Sequence, residues 1–460
     1  MLPKLNVYPR LQLHISFSDL AASLLSFLAV SSREQNIREI QSFWKSDKEV
    51  LVTLSVRTSL DLMLQSLNLP AGSEVLMSAV NIRDMVEVVK RHGLVPVPVD
   101  ISLDTLTPSL QLLETLISEK TRIFLAAHLF GSIINLEPYS QLCHKHNLLL
   151  VEDCAQAFAG SKYYGYEAAD VSFFSFGPIK SCTALGGAVT LIRDRTLAEK
   201  MQRLEEQYPS RSEVWFLKRV LKYFGLKLFS IPGIYAQLLA FLRLLDRDLD
   251  GVINSLTRGF ILAKIRLRPP NRMLFLLNRR LKNCNTEWFE RRELKARNFL
   301  SKLLPEILCP GHKAEYHSFW VVPILVSNPE LLMANLREQG FDATRGNTSL
   351  ACIKDLRCEH PEFVDSHVSP PLISPYQGEK SFQERCQVDL RSQDTLPAST
   401  SLNGEYLLEQ VLYLPVAESL PEQELESLAE RVNDFYTASR LSQVRPRATD
   451  LIIRTKRNTD

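Results

Sequence analysis

From about Leu51 the chain alternates short, mostly apolar β-rich runs with helical patterns, and this alternation constrains its fold more than anything else in it. Strands are expected at 51–55, 74–78, 95–99, 122–127 and 148–151, with helices between them at 59–67, 82–92, 110–117 and 136–146. Pro70-Ala71-Gly72 makes a turn, and Gly93 and Asn147 stop the helices that precede them. Strands that are apolar at nearly every position, not at every second one, belong to a parallel or mostly parallel sheet covered on both faces. Ligands of such sheets sit outside the carboxyl ends of the strands.

Further on, a strand at 188–192 and a helix at 197–207 continue the pattern, and a basic, apolar helical stretch fills 210–268. A long helix over 272–303 then leads into a region with strands at 317–326 and 412–416 and helices at 330–339 and 422–436. The expected division is an N-terminal helical segment (1–50), a large domain (51–270), a small domain (271–438) and a polar, disordered tail (439–460). Residues 354–403 lack periodicity and read as a long surface excursion.

A chain of 460 residues can bury a large core, and its net charge of +2 gives no general attraction to nucleic acid. Its eight cysteines are scattered without CxxC spacing, which fits free thiols and neither a disulfide framework nor a metal site. The uncharged run at 20–32 is too short to span a bilayer and lacks a cleavage site, so it reads as a packed helix and not a signal peptide. Residues 214–245 carry Lys218, Arg219, Lys222 and Lys227 among apolar positions. They fit amphipathic helices that lie on a membrane surface, cover a neighbouring subunit or pack on the chain's own core. No spanning segment is expected, and the reading is a cytoplasmic protein with peripheral membrane contact as one option.

Asp153 follows the apolar strand 148–151, and Lys180 follows it by 27 positions, in Phe174-Ser175-Phe176-Gly177-Pro178-Ile179-Lys180, just before Gly186-Gly187. A carboxylate at one strand end and a lysine past another suit pyridoxal 5'-phosphate (PLP). Lys180 would form a Schiff base with its aldehyde, and Asp153 would keep its pyridine nitrogen protonated. A lone Asp there would more simply cap a helix. Ser175 is placed to donate to the cofactor phosphate, and Gln156 to approach the phenolic oxygen. Thr58-Ser59 opens the first helix of the sheet domain, where free N–H groups and two hydroxyls would favour a phosphate. Arg57 either adds charge there or points to solvent.

The segment 52–193 resembles the DegT/StrS-like aminotransferases, mostly nucleotide-sugar transaminases of PLP fold type I. The resemblance rests on Arg57-Thr58-Ser59-Leu60, Pro70-Ala71-Gly72, Val97-Pro98-Val99-Asp100, His128-Leu129-Phe130-Gly131, Glu152-Asp153-Cys154-Ala155-Gln156 and the Ser175–Lys180–Gly187 segment. It extends to His317-Ser318-Phe319-Trp320, the segment 340–346 and Leu412-Tyr413-Leu414-Pro415. It implies a mostly parallel seven-stranded sheet in a large α/β domain and a smaller α+β domain. It also implies a homodimer with glutamate as amino donor and a keto-sugar nucleotide as acceptor. Lys180 would be the Schiff-base lysine and proton shuttle, Asp153 the partner of the pyridinium nitrogen, Gln156 a contact of the ring oxygen, and Thr58, Ser59 and Ser175 the phosphate ligands. His128 would line the pocket or play a structural part.

The chain departs from that pattern at three places. Asn81 stands where many members carry a ring-stacking aromatic, Arg57 stands near the usual glycine, and Asn271 is out of register with the asparagine that reaches the neighbouring subunit's site. The expected activity is transfer of an amino group from glutamate to a keto group, most simply that of a nucleotide-linked sugar. The rivals are the same chemistry on a lipid-linked or membrane-proximal carbonyl compound, and a regulatory protein that keeps the fold without turnover.

Overall fold

The computed structural model describes residues 7–10, 13–28, 31–237, 262–346, 349–355, 357 and 401–444. Seven strands form one sheet: β1 (Glu49–Thr53), β2 (Glu74–Ser78), β4 (Val95–Val99), β5 (Thr121–Ala127), β7 (Leu149–Asp153), β8 (Val171–Ser175) and β9 (Ala188–Ile192). Their order is β1-β9-β8-β7-β5-β2-β4. Neighbours from β8 to β4 are parallel, and β9 runs antiparallel between β8 and β1. Two short strand pairs stay outside it: β3 (Val80–Ile82) pairs with β12 (Leu350–Cys352), and β6 (Ser132–Ile133) pairs with β10 (Tyr316–His317).

Both faces of the sheet are covered, which is why its strands carry so little polar alternation. On one face α3 (Val56–Leu67), α4 (Arg83–Arg91) and α7 (Arg195–Gln207) press Leu60, Met85, Val88 and Met201 onto Val75, Val151 and Phe173. On the other, α5 (Leu110–Leu116) and α6 (Glu137–Lys145) cover Leu76 and Phe124. The rest of that face is covered by α1 (Phe17–Leu25), α2 (Arg33–Phe43), α8 (Glu213–Phe229) and α9 (Asn271–Lys282), around Phe174 and Leu191. Each fully buried Leu, Val, Met or Phe contributes about 1.5–3 kcal/mol to this packing.

A second core forms around β11 (Val322–Leu325) and β13 (Val411–Leu414), which pair antiparallel, with α10 (Thr286–Ser301), α11 (Pro329–Glu338) and α13 (Glu422–Val444) packed about them. Helix α12 (Leu402–Gln410) packs through Leu407 against Val80 and Phe130, where this part meets the main sheet.

Four elements differ from the sequence reading. The helix expected over 272–303 is two helices, because Asn285 caps a new start by accepting the Glu287 N–H (2.8 Å). The strand expected over 317–326 is broken where Phe319 takes a left-handed φ of 45°. The closing helix runs to Val444, six residues into the expected tail; 445–460 lie outside the described residues. Helix α3 starts at Val56, with Ser55 as its cap.

In the 214–245 stretch, α8 buries Phe216 and Val220 and leaves Leu221 (53% exposed), Leu226, Leu228 and Phe229 open. Residues 238–261 and most of the 354–403 excursion lie outside the described residues. No helix among the described residues is long and apolar enough to cross a membrane.

Asp61, fully buried on α3, ties the return from the insertion to the sheet domain. It accepts both arms of Arg266 (2.9 Å each), His92 Nε2 (2.9 Å) and Tyr208 Oη (3.1 Å). Burial alone would raise its pKa, but the hydrogen bonds from His92 and Arg266 and the charge of Arg266 hold it below the ordinary value. A carboxyl with a depressed folded pKa adds stability above its unfolded pKa of about 3.9, and that stability is lost as pH falls through the folded value. Asp61→Ala is expected to cost about 3–5 kcal/mol by leaving its partners unpaired. It should also flatten the acid limb of the stability curve, which denaturant unfolding at pH 7 and pH 3 would show.

Candidate active site

The site lies at the carboxyl ends of the parallel strands. Asp153 is the last residue of β7, in register with Ala127 of β5 and Phe173 of β8. It is 7% exposed, and its Oδ1 accepts the Ala155 N–H at 2.9 Å. Burial raises its pKa, while that hydrogen bond and the positive charge of Lys180 oppose the rise. A buried carboxylate bonded by a single backbone N–H leaves acceptor capacity for a cationic N–H.

Lys180 sits on the loop between β8 and β9. Ala184 N and Gly186 N both donate to Phe176 O, and Phe176 N donates to Gly187 O, which folds the loop back on itself. A Cβ on Gly186 would lie 2.6 Å from Met273 Sδ, so α9 fixes the loop from behind. Lys180 Nζ lies 4.2 Å from the centre of the Trp320 ring, and Trp320 Nε1 donates to Ile179 O at 2.8 Å. Burial lowers the lysine to about 8, opposed by Asp153 and assisted by Arg57. The Nζ makes no hydrogen bond among the described residues.

Trp320 reaches the lysine because Phe130-Gly131 and Ser318-Phe319-Trp320 interlock. Gly131 has φ +104°, and a Cβ there would meet Trp320 N at 2.7 Å. Gln156, 8% exposed, braces the same turn by accepting the Phe130 N–H at its Oε1 (2.8 Å), which leaves its Nε2 as a donor.

The phosphate end differs from the sequence reading. Thr58 and Ser59 are fully buried and lie one turn inside α3. Thr58 Oγ1 donates to Ile265 O (2.8 Å), and Ser59 Oγ joins Thr53 and Thr190 in a buried hydroxyl cluster (2.7 Å to each). Their hydroxyls therefore serve the core. The cavity beside the lysine loop, of about 290 Å³, is lined instead by Ser55, Arg57 and Ser175, and by Arg219 of α8. The N-cap signal Ser55-x-x-Thr58 could have located this helix start, whereas nothing in the spacing brings Arg219 to the site.

A second cavity of about 570 Å³, which Lys180 lines, opens between Pro9, Arg10, residues 13–16, α10 and the β11/β13 core. Arg292 lines it, with its Nε donating to Ser318 O (2.7 Å) and Nη1 to Ser181 Oγ (3.0 Å), while its buried Nη2 has no partner. Burial lowers Arg292 to about 9, and no carboxylate among the described residues forms an ion pair with it.

His128, 1% exposed, accepts the Ile134 N–H at Nδ1 (3.0 Å) and lies 2.7 Å from Glu152 through Nε2. With both ring nitrogens engaged, the cluster His128–Glu152–Cys154 has no free imidazole lone pair for a metal. Asn81 is buried with its Oδ1 on its own Ile82 N–H (2.8 Å). Asn271 is held within its own chain by Ser31 O (2.6 Å) and Asn36 Nδ2 (3.1 Å).

These residues fit PLP. A desolvated lysine without a hydrogen-bond partner, a buried carboxylate with spare acceptor capacity, an amide donor and a hydroxyl beside cations match the aldehyde, pyridine nitrogen, ring oxygen and phosphate in turn. The mostly parallel seven-stranded sheet, with a smaller second core packed at its end, is the α/β architecture of the fold type I aminotransferases.

Within that class, residues 33–227 match the model of the DegT/DnrJ/EryC1/StrS aminotransferase family. A GDP-perosamine synthase of Caulobacter vibrioides is 26% identical over 341 residues, 72% of this chain and 76% of that protein. One of Escherichia coli O157:H7 is 29% identical over 184 residues, 39% of this chain, so the chain spans about half (50%) of that relative's length. Among solved structures, Helicobacter pylori PseC, an aminotransferase involved in the biosynthesis of pseudoaminic acid, superposes with a TM-score of 0.63. It is 18% identical, with 94% of this chain and 100% of that chain covered, a likeness of fold.

Proposed function

We propose that the protein is a PLP-dependent aminotransferase that moves an amino group from glutamate to the keto group of a nucleotide-linked sugar, working as a homodimer. The observation that carries this reading is the meeting of Lys180 and Asp153 at the carboxyl end of the sheet, close enough for each charge to act on the other's ionisation. The names of its relatives, GDP-perosamine synthases among them, support the nucleotide-sugar acceptor. The open apolar face of α8 fits a subunit interface. A mass of one chain by light scattering would remove the dimer.

When bound, PLP supplies an aldehyde that takes up amines and a ring that spreads negative charge. The chain supplies the rest. Lys180 Nζ, lowered to about 8, can both accept and release a proton near neutral pH, as a proton shuttle must. Asp153 would hold the proton on the ring nitrogen, Gln156 Nε2 would donate to the ring oxygen, and Ser175 Oγ to the phosphate. Trp320 lies over the lysine and keeps water from one side of it.

Glutamate needs a site for its carboxylates, and Arg292 offers an unpaired Nη2 in the cavity that Lys180 also lines. The test is transfer of ¹⁵N from labelled glutamate to a keto-sugar nucleotide. Arg292→Gln is expected to raise the KM for glutamate roughly ten- to a hundredfold, with the visible band of the bound cofactor unchanged. No transfer to any keto-sugar nucleotide would sink the proposed acceptor, and an unchanged KM would remove Arg292 from donor binding.

A further inference from the structure

The 290 Å³ cavity beside the lysine loop carries more positive charge than the sequence reading supplied. Arg57, Arg211, Arg219 and Lys264 line it, and the one carboxylate among its described lining residues, Asp84, is ion-paired with Arg57. Arg211, Arg219 and Lys264 form no ion pair among the described residues. Arg219 is anchored where a ligand of the loop should be: its Nε donates to Leu185 O, five residues past Lys180, so both Nη groups remain free to donate. Trp215 shelves two of these cations, with Arg211 at 4.6 Å and Arg219 at 5.0 Å from its ring centre. Burial and the like charges of Arg57 and Arg211 lower the pKa of Arg219, partly offset by Tyr223. Uncompensated cations that repel one another inside a cavity are stabilised by an anion.

The chemistry of that anion follows from the floor of the same cavity. Ser175, which ends β8, and Ser55, which caps α3, both line it, together with Gly177 of the lysine loop. Hydroxyls, the N-terminus of a helix and paired guanidinium groups are the donors of a phosphate dianion. A phosphate monoester carries about −1.5 to −2 charges at neutral pH, which three unpaired cations would more than offset. The hydroxyls expected to donate to the phosphate are engaged elsewhere: those of Thr58 and Ser59 are bonded inside the core. Asn271, the nearest match to an asparagine that serves a neighbouring subunit, is bonded within its own chain.

We infer that α8 and the segment just before it contribute a cofactor-phosphate site in cis, with Arg219 of α8 and Arg211 lining one cavity with Arg57, Ser55 and Ser175. This rests on the PLP reading above, and it gives the basic stretch that begins near residue 210 a role in cofactor retention.

The test compares PLP with pyridoxal, which has the same aldehyde and ring but no phosphate. Each is titrated into the native protein, Arg219→Gln and Arg219→Lys, following the visible band that requires Lys180. Arg219→Gln should weaken PLP about ten- to a hundredfold, leave pyridoxal within about twofold, and be partly rescued by Arg219→Lys. Arg211→Gln, whose side chain rests on Trp215, keeps the test open should Arg219→Gln fail to fold. Equal weakening of PLP and pyridoxal would show a structural role and overturn the inference, as would no weakening of either. UDP, probed by thermal shift, separates the other phosphate source. If the variants lose the UDP shift while the PLP-to-pyridoxal ratio holds, the cavity serves the nucleotide and not the cofactor. Absence of any Lys180-dependent band in the native protein would overturn the PLP reading itself. A normal band that ignores Arg219→Gln overturns only the part given to α8.

Discussion

Lys180→Ala is expected to abolish the visible absorption band that PLP gives with the native protein, and to lower amino transfer roughly a hundred- to ten-thousandfold. Two losses coincide in this variant: the amine that bonds the cofactor and the base that moves the proton. The fold should survive. Lys180 makes no hydrogen bond among the described residues, and its ring contact over Trp320 is worth about 0.5–2 kcal/mol. A thermal midpoint near that of the native protein would therefore accompany the loss. Free amine added to the variant tests the assignment further, since a diffusible base should restore part of the proton transfer. A band of native intensity in Lys180→Ala would mean that the cofactor is held elsewhere, and the regulatory reading would then regain its place.

The large domain was legible because its strands are buried on both faces. A run such as Leu149–Val151 leaves one interpretation when helical patterns flank it at regular spacing. Legibility failed where a boundary is set by tertiary contact. Asn285 restarts a helix inside one continuous helical pattern. Phe319 breaks a continuous strand pattern because the backbone must pass Gly131 at close range. Neither event leaves a periodicity in the sequence.

The site divides in the same way. Asp153, Gln156, Ser175 and Lys180 lie on two adjacent strand ends and the turns after them, so local order in the chain brings them together. A helix start at Ser59 would turn Thr58 and Ser59 to a phosphate, whereas α3 starts three residues earlier, at Val56. A shift of three residues, about 300° of helix rotation, is enough to place different side chains at the cavity. Arg219, Arg292 and Trp320 come from segments far along the chain. Their arrival depends on how α8, α10 and the Gly131 turn pack, which one sequence without its packing does not reveal.

Asp153→Asn is the sharper test of the chemistry, because it changes charge at nearly constant shape. Asparagine can still accept the Ala155 N–H that now reaches Oδ1 at 2.9 Å, so the end of β7 should keep its conformation. The variant cannot hold a proton on the pyridine nitrogen as a carboxylate does. It should therefore still form the Lys180-dependent band while amino transfer falls roughly a hundred- to a thousandfold. Removing the carboxylate also removes the charge that now favours ammonium at Lys180, so the lysine should titrate lower than the native value of about 8. The pH at which the apoprotein begins to take up PLP should move down with it. Loss of the band together with activity would place Asp153 in the fold and not in the chemistry. Retention of both would require another residue to keep the ring nitrogen protonated, and none among the described residues is as well placed at the end of a parallel strand beside Lys180.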